Sequence, residues 1–124
     1  MRVTDAELAV LKALWSHEGA TIRELTDELY PGGATAQYAT VQKLLERLES
    51  KGCVRREAAG RAHRFTALVA VDDLIGRTLR DTAERLCEGS LTPLLTHLVE
   101  SRSLKQEELD ELKRLVERLD GEPA

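Results

Sequence analysis

The sequence predicts a mainly α fold with a small β-hairpin, and three observations carry that prediction. Apolar residues recur at three- and four-residue spacing through six separate stretches, the mark of helices that bury one side. Two short runs, 53–57 and 62–68, read instead as strands joined by a tight turn at Ala58-Ala59-Gly60-Arg61. Aromatic residues are few (Trp15, Tyr30, Tyr38 and Phe65), so the filling is mostly leucine, as in helices packed on helices.

Thr4-Asp5-Ala6-Glu7 is a capping box, with Thr4 as N-cap and Glu7 reaching back. It opens a helix running to about Ser16 with Leu8, Leu11, Leu14 and Trp15 on or near its buried side, and Gly19 breaks it. Thr21-Ile22-Arg23-Glu24 repeats the signature, and Ile22, Leu25 and Leu29 line the second helix. Tyr30-Pro31-Gly32-Gly33 stops it. A third helix begins between Ala36 and Tyr38 and buries Val41, Leu44, Leu45 and Leu48. Gly52 ends it as a C-cap glycine, with Lys51 in the last turn suiting the helix dipole. Its opposite side carries Ala39, Lys43, Glu46 and Ser50, flanked by Thr40 and Arg47. Small, hydroxyl and basic groups on a free face suit a helix lying in a groove. Helix, helix, turn, helix, hairpin is the order of a winged helix-turn-helix, with the third helix as reader.

Beyond 68–70 the composition changes. A helix from Asp72 or Asp73 to about Glu88 carries Leu74, Ile75, Leu79, Ala83 and Leu86 on one stripe, and Gly89-Ser90 interrupts it. The next, over 91–101, carries Leu91, Leu94, Leu95, Leu98 and Val99; Pro93 is tolerable only in its first turn, which places the start near 90–92. Ser103 is expected to cap the last helix, with Gln106 at the third position and Leu109, Leu112, Leu115, Val116 and Leu119 as the stripe. The tail from Gly121 reads as frayed. A buried leucine contributes roughly 1.5–3 kcal/mol, and stripes this wide exceed what three short helices cover among themselves. The outlet is a second copy of the chain, with the helices interleaving about a twofold axis; the other reading is that they fold back on the winged domain as one monomeric core. The organisation is therefore a winged helix-turn-helix over 1–70 and an all-α dimerisation region over 71–124.

Charge supports the division. Over the whole chain the net charge is −4, yet residues 1–70 hold ten Lys/Arg against nine Asp/Glu, and the remainder eight against thirteen. Within 43–64 stand Lys43, Arg47, Lys51, Arg55, Arg56, Arg61 and Arg64 against Glu46, Glu49 and Glu57, a local +4. That is the footprint of a nucleic-acid ligand, diluted by an acidic second half. It holds only if these cations face outward and not toward the chain's own carboxylates. No apolar run approaches ~18 residues, and the N-terminal stretch lacks a signal peptide's apolar region, so the expected location is the cytoplasm and no membrane partner is expected. Cys53 and Cys87 lack metal-type spacing and read as small, partly buried apolar residues in a reducing compartment. His17, His63 and His97 stand in separate elements, with no nucleophile set and no Gly-rich phosphate loop, so no enzyme and no cofactor is expected. Two other readings fit the pattern less well: an effector- or metal-sensing regulator using Cys87 and His97 across a dimer, and a winged module that binds only protein.

The T-D-A-E-L-x-V-L-K-x-L-W run at 4–15, Tyr38-Ala39-Thr40-Val41-Gln42 with Leu45, Arg47-Leu48 and Lys51-Gly52, and Gly60-Arg61-Ala62-His63-Arg64-Phe65 together resemble the penicillinase-repressor family, the BlaI/MecI group, with the copper-responsive CopY repressors as relatives. The resemblance spans essentially the whole chain. It implies a homodimeric transcriptional repressor with one winged domain per subunit, a palindromic operator overlapping a promoter, and an inducing partner such as a membrane sensor protease. In the best-known members that protease cuts an Asn-Phe bond; the corresponding place here holds Thr96-His97. The Cys-x-Cys pairs of the copper-responsive members are absent, so copper regulation of that kind is not implied.

For DNA binding the sequence nominates the start of the third helix and the wing. Gln37 and Gln42 can offer a paired donor and acceptor to an adenine edge, Thr40 can meet a base edge or a thymine methyl, and Ala39 permits close approach. Tyr38 either sets its hydroxyl on a phosphate or packs the turn after the second helix. Lys43 and Arg47 reach phosphates, while Glu46 stands outside the groove or pairs with Lys43 or Ser50. On the wing, Arg61 flanks the tip glycine; His63 and Arg64 alternate along one strand, and Arg55 and Arg56 along the other, so one of each pair faces DNA.

Overall fold

Thr4 Oγ1 accepts the Glu7 N–H at 3.2 Å and the Glu7 carboxylate accepts the Thr4 N–H at 2.9 Å, closing the capping box that starts α1 (Asp5–Trp15). Thr21 and Glu24 make the same reciprocal pair, at 3.1 and 3.0 Å, at the start of α2 (Ile22–Leu29). The computed structural model describes residues 2–121. α3 (Thr35–Ser50) starts just ahead of the 36–38 window expected for it. It ends where glycine is needed: Gly52 adopts φ +75°, a left-handed conformation that strains any other residue.

The hairpin forms, β2 (Val54–Ala59) pairing antiparallel with β3 (Ala62–Ala67) around Gly60 at φ +67°, but with a tighter turn than expected, since Ala58 and Ala59 pair with His63 and Ala62. One strand is additional. β1 (Ala20–Thr21) pairs antiparallel with β3, Ala20 opposite Phe65 and Thr21 opposite Arg64, so the hairpin is part of a three-stranded sheet of order β1-β3-β2. Its two residues carry no alternation of their own, and Thr21 doubles as the α2 N-cap, which is why periodicity did not reveal it.

The core of this unit joins Val10, Leu11 and Leu14 of α1, Leu25 of α2, Val41, Leu45 and Leu48 of α3, and Val54 and Phe65 of the sheet, all essentially inaccessible. Trp15 lies at its edge and donates its indole N–H to the Val69 carbonyl at 2.8 Å, tying α1 to the segment after β3. Mainly helical, with a small antiparallel sheet whose hairpin forms the wing, the fold is a winged helix-turn-helix followed by further helices.

Those helices are α4 (Val71–Leu86), α5 (Thr92–Glu100) and α6 (Gln106–Asp120). Contacts divide the chain within α4, one unit running to Gly76 and the other from Arg77. Leu74, expected in the dimerisation stripe, belongs to the first and is partly buried against the winged core. Pro93 sits in the first turn of α5, as its missing N–H requires. The expected cap of α6 is corrected. Lys105, not Ser103, is the extended N-cap residue, and Glu108 accepts its N–H at 3.0 Å, while the Ser103 hydroxyl bonds that of Ser101 at 2.6 Å. Two registers compete here, and a carboxylate is a stronger acceptor at a helix N-terminus than the Gln106 amide. The tail past Gly121 lies outside the described residues.

In the second unit Ala83 is the one buried residue among those described. Ile75, Leu79, Leu86, Leu91, Leu95, Leu98, Val99, Leu115, Val116 and Leu119 are each between 41% and 75% exposed. Leu94, Leu109 and Leu112 are half-buried. No helix among the described residues is long and apolar enough to cross a membrane.

Candidate nucleic-acid interface

Burial of Val41, Leu44, Leu45 and Leu48 fixes the rotation of α3 and turns Ala39, Thr40, Gln42, Lys43, Glu46, Arg47 and Ser50 outward. Lys43, Glu46, Arg47 and Ser50 line one shallow groove with Lys51. Thr40 bonds back to the Ala36 carbonyl at 3.0 Å, which leaves its methyl and oxygen lone pairs outward. Gln42 is exposed, with its amide oxygen and nitrogen both facing outward. Gln37 differs: at the third helical position its Oε1 accepts the Ala34 N–H at 2.9 Å, because Ala34 has no side chain able to cap. The cap occupies one lone pair of the Gln37 oxygen and holds the side chain against the start of α3, while its NH2 stays open. Tyr38 is half-buried, and the Arg23 guanidinium lies 5.0 Å over its ring, so the packing role joins α2 to α3.

The cations divide in a way the sequence did not reveal. Four of the seven in 43–64 face the chain's own carboxylates. Lys51 crosses to Glu7 at 2.6 Å; Arg55 meets Glu57 at 2.7 Å; Arg56 grips Glu49 through two bonds of 2.9 Å; Arg64 lies 3.4 Å from Glu24. Arg64 also donates to the Gly19 carbonyl at 2.7 Å, so it fastens β3 to the segment before β1. Arg64, expected as a DNA contact, thus also serves as a structural tie. Among the described residues Lys43 and Arg47 on α3 and Arg61 at the wing tip make no ion pair, and Glu46 makes none with Lys43. The outward footprint is thus smaller than the count of charges suggested, but it is concentrated on α3 and the tip. His63 shares the Phe65 face of β3, and its Nδ1 accepts from Arg56 at 3.3 Å.

The pairs shift their carboxyls. Two guanidinium hydrogen bonds from Arg56 hold Glu49 below the usual carboxylate range. Burial pushes Glu7 up, but the Lys51 ammonium and the Thr4 N–H outweigh it, and the net shift is down. Glu24 is lowered by the Thr21 N–H and hydroxyl, with Arg64 and His17 adding to it.

Cys53 is buried and Cys87 half-buried, and neither forms a disulfide among the described residues. His97 is exposed on α5, and among the described residues no three His, Cys, Asp or Glu side chains gather as metal ligands.

An outward-facing third helix with unpaired cations, behind it two capped helices, and beside it a hairpin with an arginine at its tip define a winged helix-turn-helix DNA-binding protein. The chain belongs to the penicillinase repressor family, whose model matches residues 3–118. It is 29% identical to the penicillinase repressor of Bacillus licheniformis over 94% of this chain and 90% of that one. It is 33% identical to the transcriptional regulator BlaI of Mycobacterium tuberculosis, over 97% and 86%. Among solved structures, the DNA-binding domain of the repressor BlaI aligns at 30% identity and a TM-score of 0.50, covering 58% of this chain and 87% of that domain. The family consists of transcriptional repressors, not enzymes.

Proposed function

We propose that the chain works in the cytoplasm as a homodimeric repressor, each subunit laying α3 in the major groove of one half of a palindromic operator and setting its wing on the flanking backbone. The observation that carries this is the outward face of α3, where Lys43 and Arg47 stand without intramolecular partners beside Thr40 and Gln42. Gln42 and Thr40 read base edges, Ala39 lets the backbone come close, and Lys43, Arg47 and Arg61 neutralise phosphates. Two such helices about a twofold axis call for half-sites about one helical turn apart, or a multiple of it. The exposed leucines of α4, α5 and α6 supply the surface for the second copy.

Footprinting on the promoter of the chain's own gene and its neighbours tests the reading; protection of a palindrome is expected. Salt dependence tests the residues. Arg47→Ala removes two phosphate contacts per dimer and lowers the log–log salt slope by about 1.8 at ~0.9 per contact. Arg64→Ala leaves that slope unchanged and lowers the unfolding midpoint, since Gly19 loses its donor. A slope unmoved by Arg47→Ala rules out the phosphate role.

Thr96-His97, at the position the resemblance gives to the scissile bond, lies in the middle of α5. Release of this repressor by cleavage there requires α5 to unwind first, since a protease takes its substrate extended.

A further inference from the structure

We infer that Arg56 and Glu49 form a brace that sets the wing at its working distance from the reader helix, so that operator affinity depends on two side chains that do not touch DNA. The inference rests on the reading that α3 and the wing tip bind DNA together. Past the rung at Arg64, where Thr21 of β1 still pairs, the hairpin continues as a two-stranded ribbon, and residues 55–64 are all exposed. Such a ribbon is marginally stable by itself and does not hold its tip in place. Arg64 ties β3 to Gly19, and the Arg56 guanidinium supplies the constraint on the β2 side, toward α3. Its Nε and Nη2 each meet a different Glu49 oxygen at 2.9 Å, which ties β2 to the end of α3. Nη1 donates to His63 Nδ1 at 3.3 Å, and the plane lies 5.1 Å over the buried Phe65 ring. Arg56 and Phe65 are cross-strand partners, with His63 two residues further along the same face, so one planar group joins α3, β2 and β3. A bidentate fork fixes direction as well as distance, which a lysine at this place could not do. Arg61, the tip cation, is thereby held at a set span from Lys43 and Arg47.

The rival role for Arg56 is direct contact with a phosphate, and Glu49→Gln separates the two by sign. If Arg56 binds DNA, losing the Glu49 charge frees it and tightens binding. If it is a brace, the fork weakens, the tip leaves its phosphate, and affinity falls about fivefold with the salt slope lowered toward that of Arg61→Ala. Arg56→Lys keeps the charge but not the fork, and is expected to weaken binding to the same degree. In either background the effect of Arg61→Ala is expected to shrink, because the tip no longer sits at its phosphate. The full-length variants are compared by gel shift at two salt concentrations, with circular dichroism melts confirming the fold. Binding by Glu49→Gln that equals or exceeds that of the unaltered chain overturns the brace, while an undiminished Arg61→Ala effect in the unaltered chain keeps the wing reading intact. An Arg61→Ala variant with unaltered affinity and slope overturns both.

Discussion

Replacing Leu95 or Val116 by aspartate is expected to leave a folded monomer at micromolar concentration and to weaken binding to a two-half-site operator by about 10²–10⁴-fold. Both side chains are about half exposed in the single chain, at 51% and 50%, so a carboxylate there costs the subunit little. In a dimer the same carboxylate enters an apolar contact, where a lone charge costs several kcal/mol. Losing the second copy removes the tether that makes the second half-site an intramolecular event. The remaining single reader helix keeps its contacts but not the avidity. Sedimentation equilibrium reads the association, and gel shifts on one- and two-half-site duplexes read the rest. Affinity for a single half-site should be nearly unchanged. Monomers that bind the full palindrome as tightly as the unaltered chain sink the dimeric account; a variant that stays dimeric moves the contact away from α5 and α6.

How much of this was legible in the sequence depends on the range of the interaction. The Thr4/Glu7 and Thr21/Glu24 boxes, the Gly52 stop and the turn at Gly60 are local, and each formed where its residues stand. So did the buried side of α3, because helical periodicity states it outright. What stayed hidden was long-range pairing. Lys51 and Glu7 are separated by 44 positions, and Arg64 and Gly19 by 45, so nothing local marks them as partners. Counting charge in a window therefore overstated the cations available to DNA. The Arg56–Glu49 pair, only seven apart, was hidden for a different reason: its ends belong to a helix and a strand, whose relative placement no periodicity encodes. The α6 cap failed because two capping registers overlap within four residues, and composition does not rank them.

Removal of the Lys51 ammonium is expected to cost the winged unit about 3 kcal/mol at neutral pH. The Glu7 carboxylate is wholly buried; Lys51 and the Thr4 N–H both meet its Oε1, and its Oε2 has no hydrogen-bond partner. Lys51 also donates to the Arg2 carbonyl at 2.6 Å, so it closes the gap between the N-terminal segment and the end of α3. In Lys51→Met a buried charge loses its counterion, or the carboxyl must take up a proton to stay buried. The stability of winged domains of this size leaves little room for such a loss. The sole tryptophan, Trp15, lies in this unit, so its fluorescence in urea reports the change directly. The pH dependence carries the sign. In the unaltered chain the Glu7 carboxyl is lowered, so its contribution is fully present above the ordinary carboxylate range and is lost as pH falls through the folded value. Glu24 and Glu49, lowered as well, act in the same direction. Without Lys51, burial is opposed only by the Thr4 bonds; the Glu7 part then reverses, and acid from pH 7 to 5 narrows the gap between variant and parent. Glu7→Gln with Lys51→Met removes both charges and should recover most of the loss, since neither end is then left charged and unpaired. If the single and double variants unfold at the same urea concentration at every pH, the pair does not hold α1 to the reader helix.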